Sequence, residues 1–194
     1  MYEYITGKIT ELTPAYAVIE TNGIAYVIQI SLNTFSQLQN KESGKLYLHL
    51  SIREDAHVLF GFAQPAEREM FRLLISVSGV GPNTARMMLS SMHPAEIQRA
   101  IFDEDVNLLK SIKGIGAKSA QRIIIDLKDK VAASYSESEE IVTPANNTLK
   151  IEALSALDVL GFAKKHADKT IDKLIAANPD ISVEELIKQA LKVL

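Results

Sequence analysis

The chain has 194 residues, 47% of them hydrophobic, and a formal net charge of −3 at pH 7. This length allows one large domain or two to three small ones, and the negative charge argues against a simple basic nucleic-acid binder. The sequence has no cysteine, which excludes disulfides and thiolate metal sites, and its four histidines show no ligand spacing. We therefore expect no metal and no cofactor. The N-terminal residues show neither the basic start nor the apolar run of a signal peptide. No stretch of about 18 apolar residues occurs either, so we expect a cytoplasmic protein that does not enter a membrane.

Charge is distributed unevenly along the chain. Residues 1–65 carry 4 positive and 6 negative side chains, and residues 134–148 carry 3 negative and no positive ones. Residues 149–194 are balanced, with 7 of each sign, whereas residues 66–133 carry 10 positive and 8 negative side chains. Within that last segment, residues 110–122 contain four basic and no acidic residues. A local basic segment can bind an anionic ligand although the whole chain is acidic.

Residues 1–64 have the pattern of a small β domain. Short runs rich in Ile, Val and Tyr predict five strands, over residues 2–9, 16–20, 24–30, 45–52 and 57–62. Asn22-Gly23 predicts a tight turn between the second and third strands, and residues 31–44 form one longer connection. Five short strands in this length predict a closed barrel similar to the OB-fold, with a small open sandwich as the alternative.

From Pro65 onward the pattern becomes helical. Apolar residues at three-to-four spacing predict helices over residues 66–77, 83–91, 94–102, 106–111 and 118–133. We expect residues 65–133 to form an all-α domain, residues 134–148 to form a flexible acidic linker, and residues 149–194 to form a small module. The helices predicted for that module span residues 149–160, 163–177 and 182–194. The predicted fold class is therefore a multidomain α+β protein.

Two similar glycine motifs occur in the helical region. The sequences ISVSGVGPNTARMML (75–89) and KSIKGIGAKSAQRII (110–124) align at an offset of 35 residues, with Gly79 and Gly81 matching Gly114 and Gly116. The glycines can be helix C-caps between packed helices, although this interpretation explains one glycine of each pair better than the second. Neither the Walker pattern nor G-x-G-x-x-G is met, which disfavours nucleotide binding.

A third interpretation is a phosphate-binding turn at each motif. Glycine permits positive φ and close approach of the backbone to a ligand, and the amides that begin the following helix can bind an anion. Such contacts to the sugar-phosphate backbone position DNA without reading its sequence. The candidate DNA-binding residues are Gly79, Val80, Gly81, Asn83, Thr84, Gly114, Ile115, Gly116, Lys118, Ser119 and Arg122.

These motifs resemble tandem helix-hairpin-helix DNA-binding motifs. With REDAHVLFGF at residues 53–62, VSGVGP at residues 77–82 and the short helical C-terminal segment, the whole chain resembles the RuvA family, the Holliday-junction-binding subunits of the bacterial branch-migration complex. Family members often carry Lys after the Pro of the first motif, where this chain has Asn83. We therefore expect the first motif to contribute less to salt-dependent binding than the second.

The resemblance implies a function and a set of partners. It implies a homotetramer, single or as two paired tetramers, that holds a four-way DNA junction open. The context is homologous recombination, DNA repair and the SOS response to DNA damage. It implies no enzymatic activity of the chain alone, because the AAA+ ATPase RuvB drives branch migration. The RuvC resolvase is expected in a larger complex.

Glu54 and Asp55 lie between the fourth and fifth predicted strands, at the tip of a hairpin. On the residues alone, a solvated acidic turn is the simplest interpretation, and a negative tip facing DNA weakens binding. The resemblance implies instead an acidic pin at the junction centre, where carboxylates from four subunits repel phosphates and disfavour ordinary duplex. The neighbouring Arg53 either orients the pair or contacts DNA, and the sequence does not decide between these roles.

The C-terminal module is expected, from the resemblance, to be UBA-like and to dock RuvB. Its sequence contains more apolar residues than so small a bundle can bury completely. The candidate partner-binding residues are Leu157, Leu160, Phe162, Leu186, Ile187 and Leu191.

Two other functions stay open from the sequence. A helix-hairpin-helix repair nuclease needs a catalytic carboxylate cluster. Asp126 and Asp129 follow the second motif, but Lys128 and Lys130 flank Asp129 and make a solvated charged helix face the simpler interpretation. A single-strand binder would stack bases on the tyrosines of the barrel, although packing within a β-sheet explains tyrosines equally well.

Overall fold

The computed structural model describes residues 2–139, 146–162, 164–178 and 181–193. The chain divides into two compact units, Met1–Tyr135 and Ser136–Leu194. The strands are β1 (Tyr4–Leu12), β2 (Tyr16–Thr21), β3 (Ile24–Ile30), β4 (Ser43–Arg53) and β5 (Ala56–Phe62). The helices are α1 (Leu32–Leu38), α2 (Pro65–Ile75), α3 (Pro82–Ser91), α4 (Pro94–Phe102), α5 (Val106–Lys110), α6 (Ala117–Glu139), α7 (Asn146–Val159), α8 (Lys164–Ala177) and α9 (Val183–Val193).

The strands of the first unit form a closed barrel in the order β1-β2-β3-β5-β4, which confirms the predicted five-stranded barrel. The pairing of β3 with β5 is parallel, with Ile28 facing Leu59, and the other four pairings are antiparallel. Asn22 and Gly23 have φ of 49° and 80° and connect β2 to β3 in the two-residue turn that this dipeptide predicts. Side chains alternate between the two faces of each strand. The buried residues inside the barrel are Ile5, Ala17, Ile19, Ile28, Ile30, Leu38, Leu46 and Leu48.

A short helix, α1, lies in the connection between β3 and β4, where the sequence predicted only a longer connection. The Ser31 hydroxyl accepts a hydrogen bond from the Thr34 amide at 3.0 Å and caps its N-terminus. Two helical turns are too short to give a clear periodic pattern, so the sequence did not reveal this helix. The Asn33 side chain donates to the Met92 carbonyl at 3.2 Å, which joins α1 to the end of α3.

Helices α2 to α6 share one hydrophobic core with the end of the barrel. Phe71 of α2 is completely buried, and its ring centroid lies 5.1 Å from that of Phe60 and 4.9 Å from that of Phe62. The His49 ring meets Phe71 edge-on at 5.2 Å, and burial lowers the pKa of His49. Truncating a buried Phe to Ala costs about 3–5 kcal/mol, so Phe71 is a principal anchor of α2 on the barrel.

Two arginines add polar contacts between these helices and the barrel. Arg68 of α2 is buried and binds the Glu3 carboxylate at 2.6 Å and the Glu3 carbonyl at 2.9 Å. Arg86 of α3 donates to the Ala15 carbonyl at 2.9 Å and to the Gln29 side-chain oxygen at 3.2 Å. A buried guanidinium that loses its acceptors keeps an uncompensated charge, so the Arg68 contacts hold α2 to the start of the barrel, and the Arg86 contacts hold α3 to it.

A buried carboxylate completes the attachment. Glu67 of α2 accepts hydrogen bonds from the Ser31 and Thr34 hydroxyls, the latter at 2.7 Å. Burial raises the pKa of Glu67, while these two hydrogen bonds and the nearby His93 act in the opposite direction. Because Ser31 and Thr34 lie at the start of α1, Glu67 joins α1 to α2.

The second unit consists of α7, α8 and α9 around its own apolar core, which confirms the predicted C-terminal helical module. Lys150 of α7 forms ion pairs with Asp168, at 3.0 Å, and with Asp172 of α8. Burial by itself lowers the pKa of Lys150, but the hydrogen bonds that its ammonium donates to the two carboxylates outweigh this effect and raise the pKa. At the start of α9, the Ser182 hydroxyl accepts a hydrogen bond from the Glu185 amide at 3.3 Å, the contact that a capping box predicts.

The helix ends between the units differ from the prediction. Helix α6 continues to Glu139, into the segment predicted to be a linker, and α7 begins at Asn146. Residues 134–139 contain no Pro or Gly to stop the helix. Residues 140–145 of the predicted linker lie outside the described residues. The domain boundaries at residues 64, 133 and 148 stay predictions.

Candidate nucleic-acid interface

Each glycine motif forms the same turn between two helices, which we call the first hairpin (α2 to α3) and the second hairpin (α5 to α6). Gly79 and Gly114 have φ of 92° and 93°, a backbone conformation that residues other than glycine rarely adopt. The next amide in each turn, that of Val80 or Ile115, donates to the carbonyl three residues earlier at 3.0 or 3.1 Å. The two hairpins therefore have the same backbone, as the sequence repeat predicts.

The apolar residue between the two glycines of each hairpin lies in the core and not on the surface. Val80 is 5% exposed and Ile115 is 6% exposed, and their amides are used within the turn. Neither side chain is therefore on the surface, and the role of both residues as DNA contacts stays a prediction. Their side chains belong to the hydrophobic core of the helical region and support the hairpin from inside.

The backbone that follows is open to a ligand. Gly81 and Gly116 are exposed and precede α3 and α6, and a Cβ at either position would meet no atom within 4 Å. The first amides of a helix have no acceptor inside the helix and carry partial positive charge. In α3 the first residue is Pro82, which has no N–H, so the donors begin at Asn83. In α6, Ala117 supplies an additional amide.

Polar side chains lie on the first turn of both helices. Lys118 is exposed and Ser119 half-buried at the start of α6, and Asn83 and Thr84 have the same exposure at the start of α3. Each hairpin thus presents free amides, a hydroxyl and a longer polar side chain around one exposed glycine. This is the donor set that binds a phosphate oxygen.

The second hairpin has further basic side chains around it. Arg122 is exposed one turn into α6, and its Nε lies 3.8 Å from Asp126 Oδ2, a contact worth little at an exposed position. Lys110 and Lys113 are also exposed. They were not among the candidate residues, although the run of four basic residues from Lys110 to Arg122 was the signal that could have identified them.

The acidic pair forms the tip of the β4–β5 hairpin. Arg53 pairs with Ala56 in the β ladder, so Glu54 and Asp55 are the two turn residues, and both are exposed. Arg53 Nε lies 3.7 Å from Asp55 Oδ1, which places the arginine against the pair. The ion pair is solvated and weak, and the tip keeps one net negative charge.

The candidate partner-binding residues of the second unit divide by exposure. Leu157 and Leu186 are completely buried, and Phe162 and Ile187 pack partly buried against the same core. These four residues hold the module together, since periodic spacing in the sequence does not distinguish core from surface in so short a bundle. Leu160, 57% exposed, and Leu191 remain accessible.

One strongly exposed apolar side chain of this unit was not among the candidate residues. Val159 is 85% exposed and precedes Leu160 at the end of α7. The two residues line a shallow groove together with Glu152, Ser155 and Ala156. This accessible apolar surface is the feature of the second unit that is best suited to contact another protein.

The described residues contain no group of three or more His, Cys, Asp or Glu side chains that could hold a metal ion. Among the helices in these ranges, none combines the length and apolar character needed to cross a membrane.

Comparison with known proteins matches three family models. The model described as RuvA N terminal domain matches residues 1–61, the SAM-like helix-hairpin-helix tandem matches residues 71–129, and the RuvA C-terminal domain matches residues 151–194. A relative from Christiangramia forsetii, named Holliday junction branch migration complex subunit RuvA, is 52% identical over 99% of both chains. Relatives of the same name from Bacteroides fragilis and Flavobacterium psychrophilum are each 51% identical, again over 99% of both chains. The chain belongs to the RuvA family.

Proposed function

We propose that this chain binds four-way DNA junctions, independently of base sequence, as the non-catalytic subunit of a branch-migration complex. The observation that carries the proposal is the pair of hairpins with one backbone geometry, each presenting an exposed glycine and free helix amides. The relatives that match over nearly their full length are named as subunits of a Holliday junction branch migration complex. In this role the chain acts in homologous recombination and DNA repair.

The hairpins bind the sugar-phosphate backbone of the junction arms. Gly81 and Gly116 allow a phosphate to approach the chain, and the amides that begin α3 and α6 donate to its oxygens. Lys118 and Arg122 add charge at the second hairpin. Contacts of this kind fix the position of DNA without reading bases, as a protein acting on junctions of any sequence requires. The proposed direct contacts are Gly79, Gly81, Asn83, Thr84, Gly114, Gly116, Lys118, Ser119 and Arg122.

The acidic tip gives selectivity for DNA shape. A homotetramer, single or as two paired tetramers, would gather four β4–β5 tips, each with Glu54 and Asp55 exposed and one net negative charge. Two unit charges 4 Å apart interact by about 1 kcal/mol in water, and by more near a protein surface. Phosphates are therefore repelled from the centre, which a continuous duplex would have to cross. Four arms leaving an open junction avoid it.

The second unit recruits the motor. Val159 and Leu160 line the shallow groove of α7, and we assign these accessible apolar side chains, together with Leu191, to docking of the RuvB ATPase, with RuvC joining a larger assembly. The motor supplies the energy for moving the arms, and this chain supplies the grip on the junction.

The experiment that tests the function is a mobility-shift titration with an immobile four-way junction, competed by linear duplex of the same arm sequence. It is run in EDTA and repeated in magnesium. Strong preference for the junction with intact DNA is the expected result. Equal affinity for both DNAs would reduce the protein to a general helix-hairpin-helix binder, and cleavage in magnesium would favour a nuclease.

A further inference from the structure

The two hairpins share a backbone but differ in charge. At the offset of 35 residues, the four basic residues of 110–122 correspond to uncharged side chains in 75–87. The pairs are Lys110 with Ile75, Lys113 with Ser78, Lys118 with Asn83 and Arg122 with Met87. The first glycine of each turn has nearly the same φ, and the turns have the same hydrogen bond. The two hairpins therefore differ in the charge of their side chains and not in the geometry of the turn.

The arginines close to the first hairpin in sequence have other partners. Arg68 is buried against Glu3 at 2.6 Å, and Arg72 binds Glu69 at 2.8 Å. Arg86, the one charged residue within 75–87, donates to barrel oxygens. Arg68 and Arg72 are thus paired with carboxylates that offset their charge, and Arg86 is held against the barrel through its Nη1. The first hairpin therefore offers DNA neutral donors.

The lysines of the second hairpin are uncommitted. Lys110, Lys113 and Lys118 are exposed and form no ion pair with any residue in the described ranges. Helix α6 also begins with Ala117, which has an amide N–H, where α3 begins with Pro82, which has none. Charge and backbone donors both favour the second hairpin for strong phosphate contacts.

We propose that the two hairpins divide the binding of a duplex arm. The second hairpin supplies the charge-dependent affinity through its lysines and Arg122, and the first hairpin positions the arm through uncharged contacts around Asn83. This inference rests on the proposed function, because it concerns how the hairpins share the DNA backbone. Each phosphate that a cation neutralises adds about 0.9 to the slope of log affinity against log salt. The division is therefore visible in salt dependence.

The test measures binding of an immobile junction by the full-length protein at several salt concentrations. Lys118→Asn is expected to reduce the salt slope by about 0.9 for each Lys118 in contact with a phosphate. Asn83→Ala is expected to weaken binding by a similar factor at every salt concentration and to leave the slope unchanged. Asn83→Lys is expected to increase the slope, because the first hairpin has the geometry for a phosphate but lacks the charge.

Lys169→Gln is the matched control, since it removes the same charge from an exposed position in the second unit. The double variant Asn83→Lys/Lys118→Asn keeps the net charge and should recover the wild-type slope. The inference is overturned if Lys118→Asn keeps the wild-type slope, if Lys169→Gln lowers it equally, or if Asn83→Lys leaves it unchanged. A wild-type protein that does not bind the junction would overturn the proposed function itself, and the inference with it.

Discussion

The first glycine of each hairpin allows the turn, and the second leaves room for a phosphate. Alanine substitution at each position distinguishes these two roles. Gly114 has a φ of 93°, and a Cβ there would meet no atom within 4 Å. The penalty of Gly114→Ala is therefore conformational and not steric, about 1–2 kcal/mol. Alanine also lowers the conformational entropy of the unfolded chain, which stabilises the folded state by about 0.4–1 kcal/mol. We expect a net loss of about 1 kcal/mol in the free energy of unfolding.

Gly116→Ala is expected to leave the free energy of unfolding close to that of the wild type. Gly116 is not among the glycines with positive φ, and its Cβ would also enter open space. Gly116 precedes α6 as its N-cap, where Gly is preferred to Ala by about 0.5–1 kcal/mol. The restricted unfolded chain gives a gain of about 0.4–1 kcal/mol, so the two effects roughly cancel. The new methyl group would stand where the phosphate must approach, so we expect junction affinity to fall about tenfold, which is about 1.4 kcal/mol.

The assay pairs thermal unfolding with mobility-shift titration on the full-length protein. A change of 1 kcal/mol shifts the melting temperature by roughly 2–8 °C in units of this size, so Gly114→Ala should melt below the wild type and Gly116→Ala close to it. Gly79→Ala and Gly81→Ala repeat the comparison in the first hairpin, where the φ values are 92° and −82°. Equal destabilisation by Gly114→Ala and Gly116→Ala would refute the reasoning. So would a Gly116→Ala protein that binds the junction like the wild type.

Three further predictions concern other parts of the molecule. Glu54→Gln/Asp55→Asn should keep junction binding and raise affinity for linear duplex about threefold to tenfold, because the repulsion at the tip is lost. An unchanged preference in the same titration contradicts the pin. Glu67→Gln should gain stability relative to wild type as pH rises above about 4.5, because a raised carboxyl pKa disfavours the folded state once the group ionises. Urea unfolding at pH 5 and pH 8 measures this difference. The same stability difference between Glu67→Gln and wild type at both pH values would contradict the prediction. Leu160→Ala should leave unfolding unchanged and weaken RuvB binding, whereas Leu157→Ala should cost about 2–5 kcal/mol of stability. Equal effects of these two variants on melting would contradict the assignment of core and surface.

Local signals predicted much of the fold. Strand composition and the Asn22-Gly23 turn predicted the β region, and three-to-four spacing predicted the helices after Pro65. Helix α1 was not predicted because two turns give little periodicity. The extension of α6 to Glu139 was not predicted because the polar, acidic composition of residues 134–148 is typical of a linker. Polar residues without Pro or Gly do not end a helix.

The candidate site was predicted less completely, because burial depends on contacts between distant segments. The repeat identified both hairpins. Val80 and Ile115 each lie between two exposed glycines, but their own side chains are buried. Leu157 and Leu186 were likewise predicted to bind a partner, and their side chains are buried in the core of the second unit. The partners of Arg86 lie 71 and 57 residues away in sequence, and no local pattern indicates such contacts.

These distant contacts give a physical reason for the divergence of the two hairpins. The first hairpin follows the barrel directly, and its helices have to attach to it. Arg68 and Arg86 bind the barrel, and Glu67 holds α1. These side chains serve the attachment, and they orient both hairpins because α2 to α6 share one core. The second hairpin is held by that core and leaves its lysines free. In this arrangement a duplicated motif serves two needs that one copy could not meet together, rigid attachment to the barrel and an uncommitted basic surface for phosphate.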